Sequence, residues 1–206
     1  MSKTLERRAK QRDDLIAAAE RMIKARGLAG LKTRDLAQEI GVANGAVYNL
    51  VADVDELVLM VGSRTLAQLD TELSAAEGAG PPGAEAALVR IAIAYCDFAA
   101  HHLELWRALF EHRMPPDKPL PDWAVADQMH LFRHIHQPLA TLFPQRSFDD
   151  ISVTARSLFS AVHGMVALGL EQKLVAVPLA ALRQQIAVMV RAMVAGLAAQ
   201  AGPGAM

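Results

Sequence analysis

The amino-acid sequence predicts an all-α protein with a small N-terminal unit and a larger helical one behind it. Three observations predict it. Ala and Leu recur throughout, aromatics make up only 5% of the 206 residues and β-branched residues are sparse, a usage that favours helices over strands. Apolar residues return at i, i+3, i+4 and i+7 rather than in alternation. Gly and Pro fall mostly between those periodic stretches, where helices end. Hydrophobic residues at 52% against 21% charged supply a core and exclude a disordered chain.

Leu15, Ala19, Met22 and Ile23 lie on one face of a helix predicted from about residue 6 to 26, whose other face is basic and whose stop is Gly27. Thr33 to Ile40 is a short second helix with Leu36, Ala37 and Ile40 inward, ended by Gly41, the residue best able to take the left-handed conformation after a helix, which also removes a Cβ clash at the turn while Val42 plugs the junction. Ala46, Val47 and Leu50 give another short helix, closed before Asp53. Asp53 and Glu56 read as a capping box for a long helix from Val54 to about Glu77. Gly78 to Gly83 is the clearest loop in the chain. Beyond it helices are predicted at about 84–101, 103–113, 121–143, 149–173 and 179–199, with Pro138 kinking the third and Ala201 to Met206 fraying. These elements divide into an N-terminal domain, 1–52, and a C-terminal domain, 53–206.

Charge and composition narrow the function. The net charge is −1, yet residues 1–34 carry net +6 and the other 172 carry net −7, so the positive charge is concentrated as a nucleic-acid footprint requires. Cys96 is the only cysteine, which excludes an internal disulfide or a multi-cysteine metal site and fits a reducing compartment. The first apolar run, Leu15 to Ala19, is broken by Glu20, and the longest uncharged stretch, Ala192 to Met206, is shorter than the ~20 apolar residues of a membrane span. A cytoplasmic protein without membrane, cofactor or metal is therefore expected. No glycine-rich phosphate loop and no set of nucleophile, base and orienter is present, so no enzyme is expected.

An eight-residue helix, a Gly turn and a second short helix fit a helix-turn-helix, in which the second helix enters the major groove and the first crosses the backbone; by geometry alone they fit two packed helices of an ordinary bundle equally well. The order Leu15-Ile16-Ala17-Ala18-Ala19, Arg26-Gly27, Thr33-Arg34-Asp35-Leu36-Ala37-Gln38-Glu39-Ile40-Gly41-Val42, Gly45-Ala46-Val47-Tyr48 and Asp55-Glu56-Leu57 resembles the DNA-binding domain of the TetR family of bacterial transcriptional repressors, over about residues 12–65. Leu158-Phe159-Ser160-Ala161-Val162-His163-Gly164 resembles that family's WHG-type ligand-binding domain, with Phe159 in place of the tryptophan. The resemblance implies a homodimer joined through its last two helices, a ligand pocket in the larger domain and a double-stranded DNA operator. It also marks departures. Asn44 and Val54 stand where the family commonly has Lys, Lys32 replaces a hydroxyl cap, and Asn49, Leu50 and Val51 replace the aromatic or His residues that follow the Tyr.

With Val47 turned inward, Asn44, Ala46, Tyr48 and Asn49 are left for DNA. Tyr48 is assigned to a phosphate through its hydroxyl, and Asn49 is a candidate reader of adenine through its amide, the alternative being a solvated helix residue. Lys32, Thr33 and Arg34 start the preceding helix; Arg34 suits phosphate or guanine, its alternative being an ion pair with Asp35 or Glu39. Arg7, Arg8, Lys10 and Arg12 form a basic arm, expected to be flexible, that follows the backbone or enters the minor groove.

In the larger domain Tyr95, Phe98, Trp106, Phe110, Trp123 and Phe132 are the candidate lining of an apolar effector pocket, with His134 and His163 as polar handles. Val162, Met165, Val166, Ile186, Met189, Val190 and Met193 form two apolar stripes assigned to the dimer interface, with Gly164, Gly169 and Gly196 allowing close approach; the alternative is an intramolecular core. His130 and His134 have metal-ligand spacing, but nothing resembling HExxH accompanies them, so no metal site is assigned. The function predicted is a dimeric DNA-binding repressor released by a small apolar or aromatic effector. The alternative is a helical sensor or adaptor without specific DNA binding.

Overall fold

The computed structural model describes residues 3–171 and 177–200, all-helical with no strand among them. Helix α1 (Lys3–Arg26) buries Leu15, Ile16, Ala18, Ala19, Met22 and Ile23, the stripe its periodicity foretells. It starts three residues earlier than predicted, so the basic arm is helical, not flexible. A short 3-10 turn (Leu28–Gly30) leads into α2 (Thr33–Glu39), and a 3-10 segment (Asn44–Asn49) into α3 (Val54–Gly78). After α4 (Ala84–His101), α5 (Leu103–Glu111) sends Leu105 and Ala108 into the core that α1, Leu36, Val47, Leu57 and Val61 build. By packing, then, Met1–Gln68 and His102–Asp127 form one compact unit and Leu69–His101 and Gln128–Met206 the other, a grouping unlike the 1–52 and 53–206 division read from the sequence.

In the second unit α4 packs on α7 (Arg133–Leu142), α8 (Phe148–Leu170) and α9 (Leu179–Gln200), enclosing Phe98, Leu139, Ile151, Val166, Ile186 and Val190. Arg90 on α4 donates to the carbonyls of Ala76, Glu77 and Pro81, satisfying the end of α3 and pinning the Gly-Pro loop. The helix expected over 121–143 is two helices, α6 (Asp122–Leu131) and α7. The break is at Phe132, where Phe132 N–H bonds Met129 and Ile135 N–H bonds Phe132 in i→i+3 fashion, and not at Pro138, which lies buried within α7. Helix α5 stops at Glu111 rather than 113 because His112 already takes the extended conformation that leads into Met114-Pro115-Pro116.

Ser147 caps α8: its Oγ accepts from the Asp150 amide at 3.1 Å and donates to the Asp150 carboxylate at 2.6 Å. Helix α8 is long and apolar enough to cross a membrane by length and composition, but Ile151, Ala155, Leu158, Val162 and Val166 are buried against the protein's own helices. The end expected near residue 173 and the tail Ala201 to Met206 lie outside the described residues.

Candidate functional site

The turn after α2 is a Schellman motif. Val42 N–H bonds the Ala37 carbonyl at 2.9 Å, Gly41 N–H bonds that of Gln38 at 3.3 Å, and Gly41 sits at φ +69°. Gly41 thus takes the left-handed backbone that the sequence predicted for it, but a Cβ there would meet nothing within 4 Å, so the clash also expected at this turn is absent. Val42 packs half-buried on the core, as its plugging role requires.

The segment after the turn is wound more tightly than the expected α-helix: Ala46 N–H bonds Ala43 O at 2.8 Å and Leu50 N–H bonds Val47 O at 2.9 Å, both i→i+3. Six residues that include Asn44, Gly45 and the β-branched Val47 have weak helix propensity, and a single short turn of 3-10 geometry results. Val47 is 1% exposed, whereas Tyr48 is 50% exposed and Asn44 and Asn49 are exposed on the same segment. Ala46 and Thr33 are half-buried, and Lys10, Lys32 and Arg34 are exposed. Lys32 stands at the N-cap of α2 without a side-chain cap bond. The carboxylates offered as alternative partners of Arg34 are engaged elsewhere, Asp35 by Arg26 at 3.6 Å and Glu39 by Arg21 at 2.8 Å, which leaves the Arg34 guanidinium without an ion pair among the described residues.

The basic face of α1 is tied to this segment. Arg8 Nη2 donates to the Asn49 carbonyl at 2.6 Å, and Arg12 pairs with Glu56 at 3.0 Å. An open cleft of about 540 Å3 lies between them, with Tyr48 and Asn49 on its wall. The Asp53 arm of the capping box is formed, Glu56 N–H donating to Asp53 Oδ1 at 2.9 Å, while the returning arm is shifted by one residue, Glu56 Oε2 accepting from the Ala52 amide at 2.5 Å rather than from that of Asp53. Lys118, from the segment after α5, bonds the carboxylate of Asp53 and lies 3.4 Å from that of Asp55. The Lys118 ammonium first, and the Glu56 amide second, hold the Asp53 carboxyl below its usual range. Lys118 was not singled out in the sequence; 65 positions separate it from Asp53, and no local pattern reveals the pairing.

The candidate effector residues divide between the two units. Trp106 is buried and faces Phe110, ring centroids 5.4 Å apart, in the first unit, where the exposed Trp123 also lies. In the second unit Tyr95 donates to or accepts from His163 Nδ1 at 2.8 Å, beside the fully buried Phe98. Phe159, noted in the sequence only as the replacement for a tryptophan, is the hub there: its ring meets Tyr95 at 5.7 Å, Phe132 at 5.5 Å and His163 at 5.5 Å, nearly parallel to the last. Its i, i+4 spacing to His163 was the available signal. Burial holds the His163 imidazole below its ordinary value, so the ring is neutral near pH 7. Burial, and then the neighbouring Asp97, push the Cys96 thiol up, which leaves it unreactive.

His134 is not available as a polar handle. It is fully buried, with Nε2 2.9 Å from Asp70 Oδ1 and Nδ1 3.1 Å from Glu77 Oε2, the second within ion-pair distance but not aligned as a hydrogen bond. Arg133 Nη2 holds both oxygens of Asp70 at 2.7 and 2.9 Å. Burial alone would raise the Asp70 carboxyl, but the His134 and Arg133 hydrogen bonds outweigh it and hold the group below its usual range. His130 Nε2 accepts from Arg133, and no group of three or more His, Cys, Asp or Glu among the described residues is placed to hold a metal.

Of the residues assigned to a dimer interface, Val162, Val166, Ile186 and Val190 are buried in the chain's own core, because α8 and α9 pack on each other and on α4. Met165 and Met193 are half-buried and Met189 is exposed. The outward faces carry Val153 and Leu168 on α8 and Val188 and Met189 on α9. Gly164 and Gly196 open to free space, whereas Gly169 lets Leu182 approach to 2.6 Å from where a Cβ would stand.

Residues 15–50 match the model of bacterial regulatory proteins of the tetR family, and residues 88–193, about half the chain, match the tetracyclin repressor-like C-terminal domain. No curated protein matches the chain significantly. Among solved structures, a protein with unknown function from Rhodococcus sp. RHA1 superposes with TM-score 0.73 and 23% identity, covering 90% of this chain and 94% of that one. FadR from Bacillus subtilis, solved with stearoyl-CoA, gives TM-score 0.67 and 14% identity over 86% of this chain and 96% of its own. BioQ, solved with its natural double-stranded DNA operator, gives 0.62 and 20% over 91% and 98%. These neighbours share the fold, the family models cover both ends of it, and the chain belongs to the TetR family of bacterial regulatory proteins.

Proposed function

We propose that this protein is a one-component transcriptional repressor that binds a palindromic operator as a homodimer and leaves it when a small apolar or aromatic molecule occupies the C-terminal domain. The observation that carries the reading is the helix-turn-helix itself: a Schellman turn delivers a segment whose Val47 is sealed in the core while Tyr48, Asn49 and Asn44 face solvent beside the unpaired Arg34. Such a segment serves a groove better than a core. The aromatic group of Tyr95, Phe132, Phe159 and the neutral His163 supports an apolar effector, whose burial there leaves no charge uncompensated. BioQ with its operator and FadR with stearoyl-CoA are relatives of like fold that support the two halves of the reading. Release follows only if the effector prefers the conformation that binds DNA poorly.

The dimer is assigned to the outward faces of α8 and α9, with Val153, Leu168, Val188 and Met189 as anchors and Gly164 and Gly196 permitting close contact. Two recognition segments related by a two-fold axis then meet half-sites about one helical turn apart. Such a protein works in the cytoplasm, beside the chromosome it reads.

The test is selection of bound fragments from random DNA with the purified protein, followed by competition with apolar compounds at fixed salt. A palindromic consensus, weakened by at least one compound that binds the protein, is the expected result. Recovery of DNA without sequence preference would favour the sensor or adaptor reading. Sedimentation of a Met189→Glu variant should give a monomer that has lost operator affinity; an unchanged dimer would move the interface elsewhere.

A further inference from the structure

Between α7 and α8 the second unit carries a cleft of about 250 Å3 that shares only Phe132 with the aromatic group assigned to the effector. Phe132, Phe148 and Ala155 form its apolar wall, Arg133, His136 and Arg156 line it as well, and no Asp or Glu does. The two guanidinium groups differ. Arg133 is committed to both oxygens of Asp70. Arg156 is exposed on α8 with no ion-pair partner among the described residues, so its charge is available to a ligand.

His136 adds an independent observation. Its ring lies against Phe148, centroids 4.6 Å apart, and its Nε2 is buried without a hydrogen-bond partner. Buried polar atoms nearly always find partners, so this ring carries an unmet hydrogen-bonding capacity beside the cleft. Phe148, 72% exposed at the mouth, is a large apolar ring mostly open to solvent. At roughly 30 Å3 of liquid volume per water-sized group, the space holds on the order of eight to ten non-hydrogen atoms.

We infer that this cleft binds a small monocarboxylate with an aromatic or short aliphatic body. The body packs on Phe132 and Phe148, and the carboxylate meets the planar fork of Arg156. The site does not rest on DNA binding, and its test reads ligand binding alone.

The experiment is calorimetric titration of the full-length protein at low salt with phenylacetate and with 2-phenylethanol, its neutral counterpart of the same size. Phenylacetate is expected to bind once per protomer and about tenfold more tightly than the alcohol. Arg156→Gln should bring the two affinities together by weakening only the acid, and Phe148→Ala should weaken both several-fold; both positions are exposed, and an unchanged melting temperature checks folding. Equal affinities in the wild type, a preference that survives Arg156→Gln, or binding of neither compound at millimolar concentration would each overturn the proposal. If Phe148→Ala instead splits a dimer and leaves phenylacetate affinity intact, the cleft is an interface between copies of the chain and the proposal fails.

Discussion

Val47 and Tyr48 are neighbours in sequence, yet one is sealed in the core and the other is half in solvent, so a single step along the backbone separates the residue that holds the segment from the residue proposed to meet DNA. Tyr48→Phe removes only a hydroxyl. It should weaken specific and non-specific DNA binding together, by roughly 1.5 kcal/mol or about tenfold in Kd, because a phosphate contact carries no base information. Asn49→Ala should instead relax base preference at one position of the operator; filter binding against a panel of single-base variants separates the two. His163 sets a second expectation. Its folded-state value lies below the ordinary 6.5, so between those two values the unfolded chain binds a proton that the native ring does not. Stability is therefore full above 6.5 and declines as pH falls from there towards the depressed value. Thermal melts between pH 7.5 and 5 should show a smaller decline for His163→Gln than for the wild type. These two residues could be singled out from local spacing and motif alone. His134 could not be judged that way, because what removes it from any pocket is Asp70 and Glu77, more than fifty positions upstream.

At the scale of elements, the capping box before α3 was legible because Asp53 and Glu56 act within one turn of each other. Asp53→Ala should cost about 1 kcal/mol in urea denaturation, the usual worth of an N-cap. Lys118→Met should cost less, since the cap survives it. The same carboxylate fixes an acid dependence. With its folded value below the ordinary 3.8, its contribution is present above 3.8 and is lost as pH falls through the depressed value, so Lys118→Met should shift acid unfolding to slightly higher pH. The division of 121–143 into α6 and α7 was hidden for a different reason. The periodic apolar residues run on through Phe132, and the change from i→i+4 to i→i+3 bonding that re-aims the chain there leaves no mark in composition. Pro138 drew attention as the chemical breaker, yet α7 continues around it.

For the whole molecule, helical class and the helix-turn-helix were readable because both rest on local periodicity and on turn chemistry at Gly27 and Gly41. Which helices share a core was not readable, because α5 joins α1 only after an intervening helix has been laid down elsewhere. Residues 1–68 alone lack Leu105 and Ala108, two buried members of the core around Leu15, Ile23 and Leu36. That fragment should therefore unfold at least 2 kcal/mol more easily than one in which 102–127 is rejoined to it by a flexible linker, the order of magnitude for deleting a buried leucine; circular dichroism melts of the two fragments decide it, and equal stability would mean that α5 is dispensable to the core. The consequence reaches anyone who would transplant this reading head. Cutting the gene at a single point between reader and sensor severs the head from part of its own interior, so a working chimera needs three crossovers, with the α5 passage travelling alongside the first 68 residues like a keystone carried with its arch.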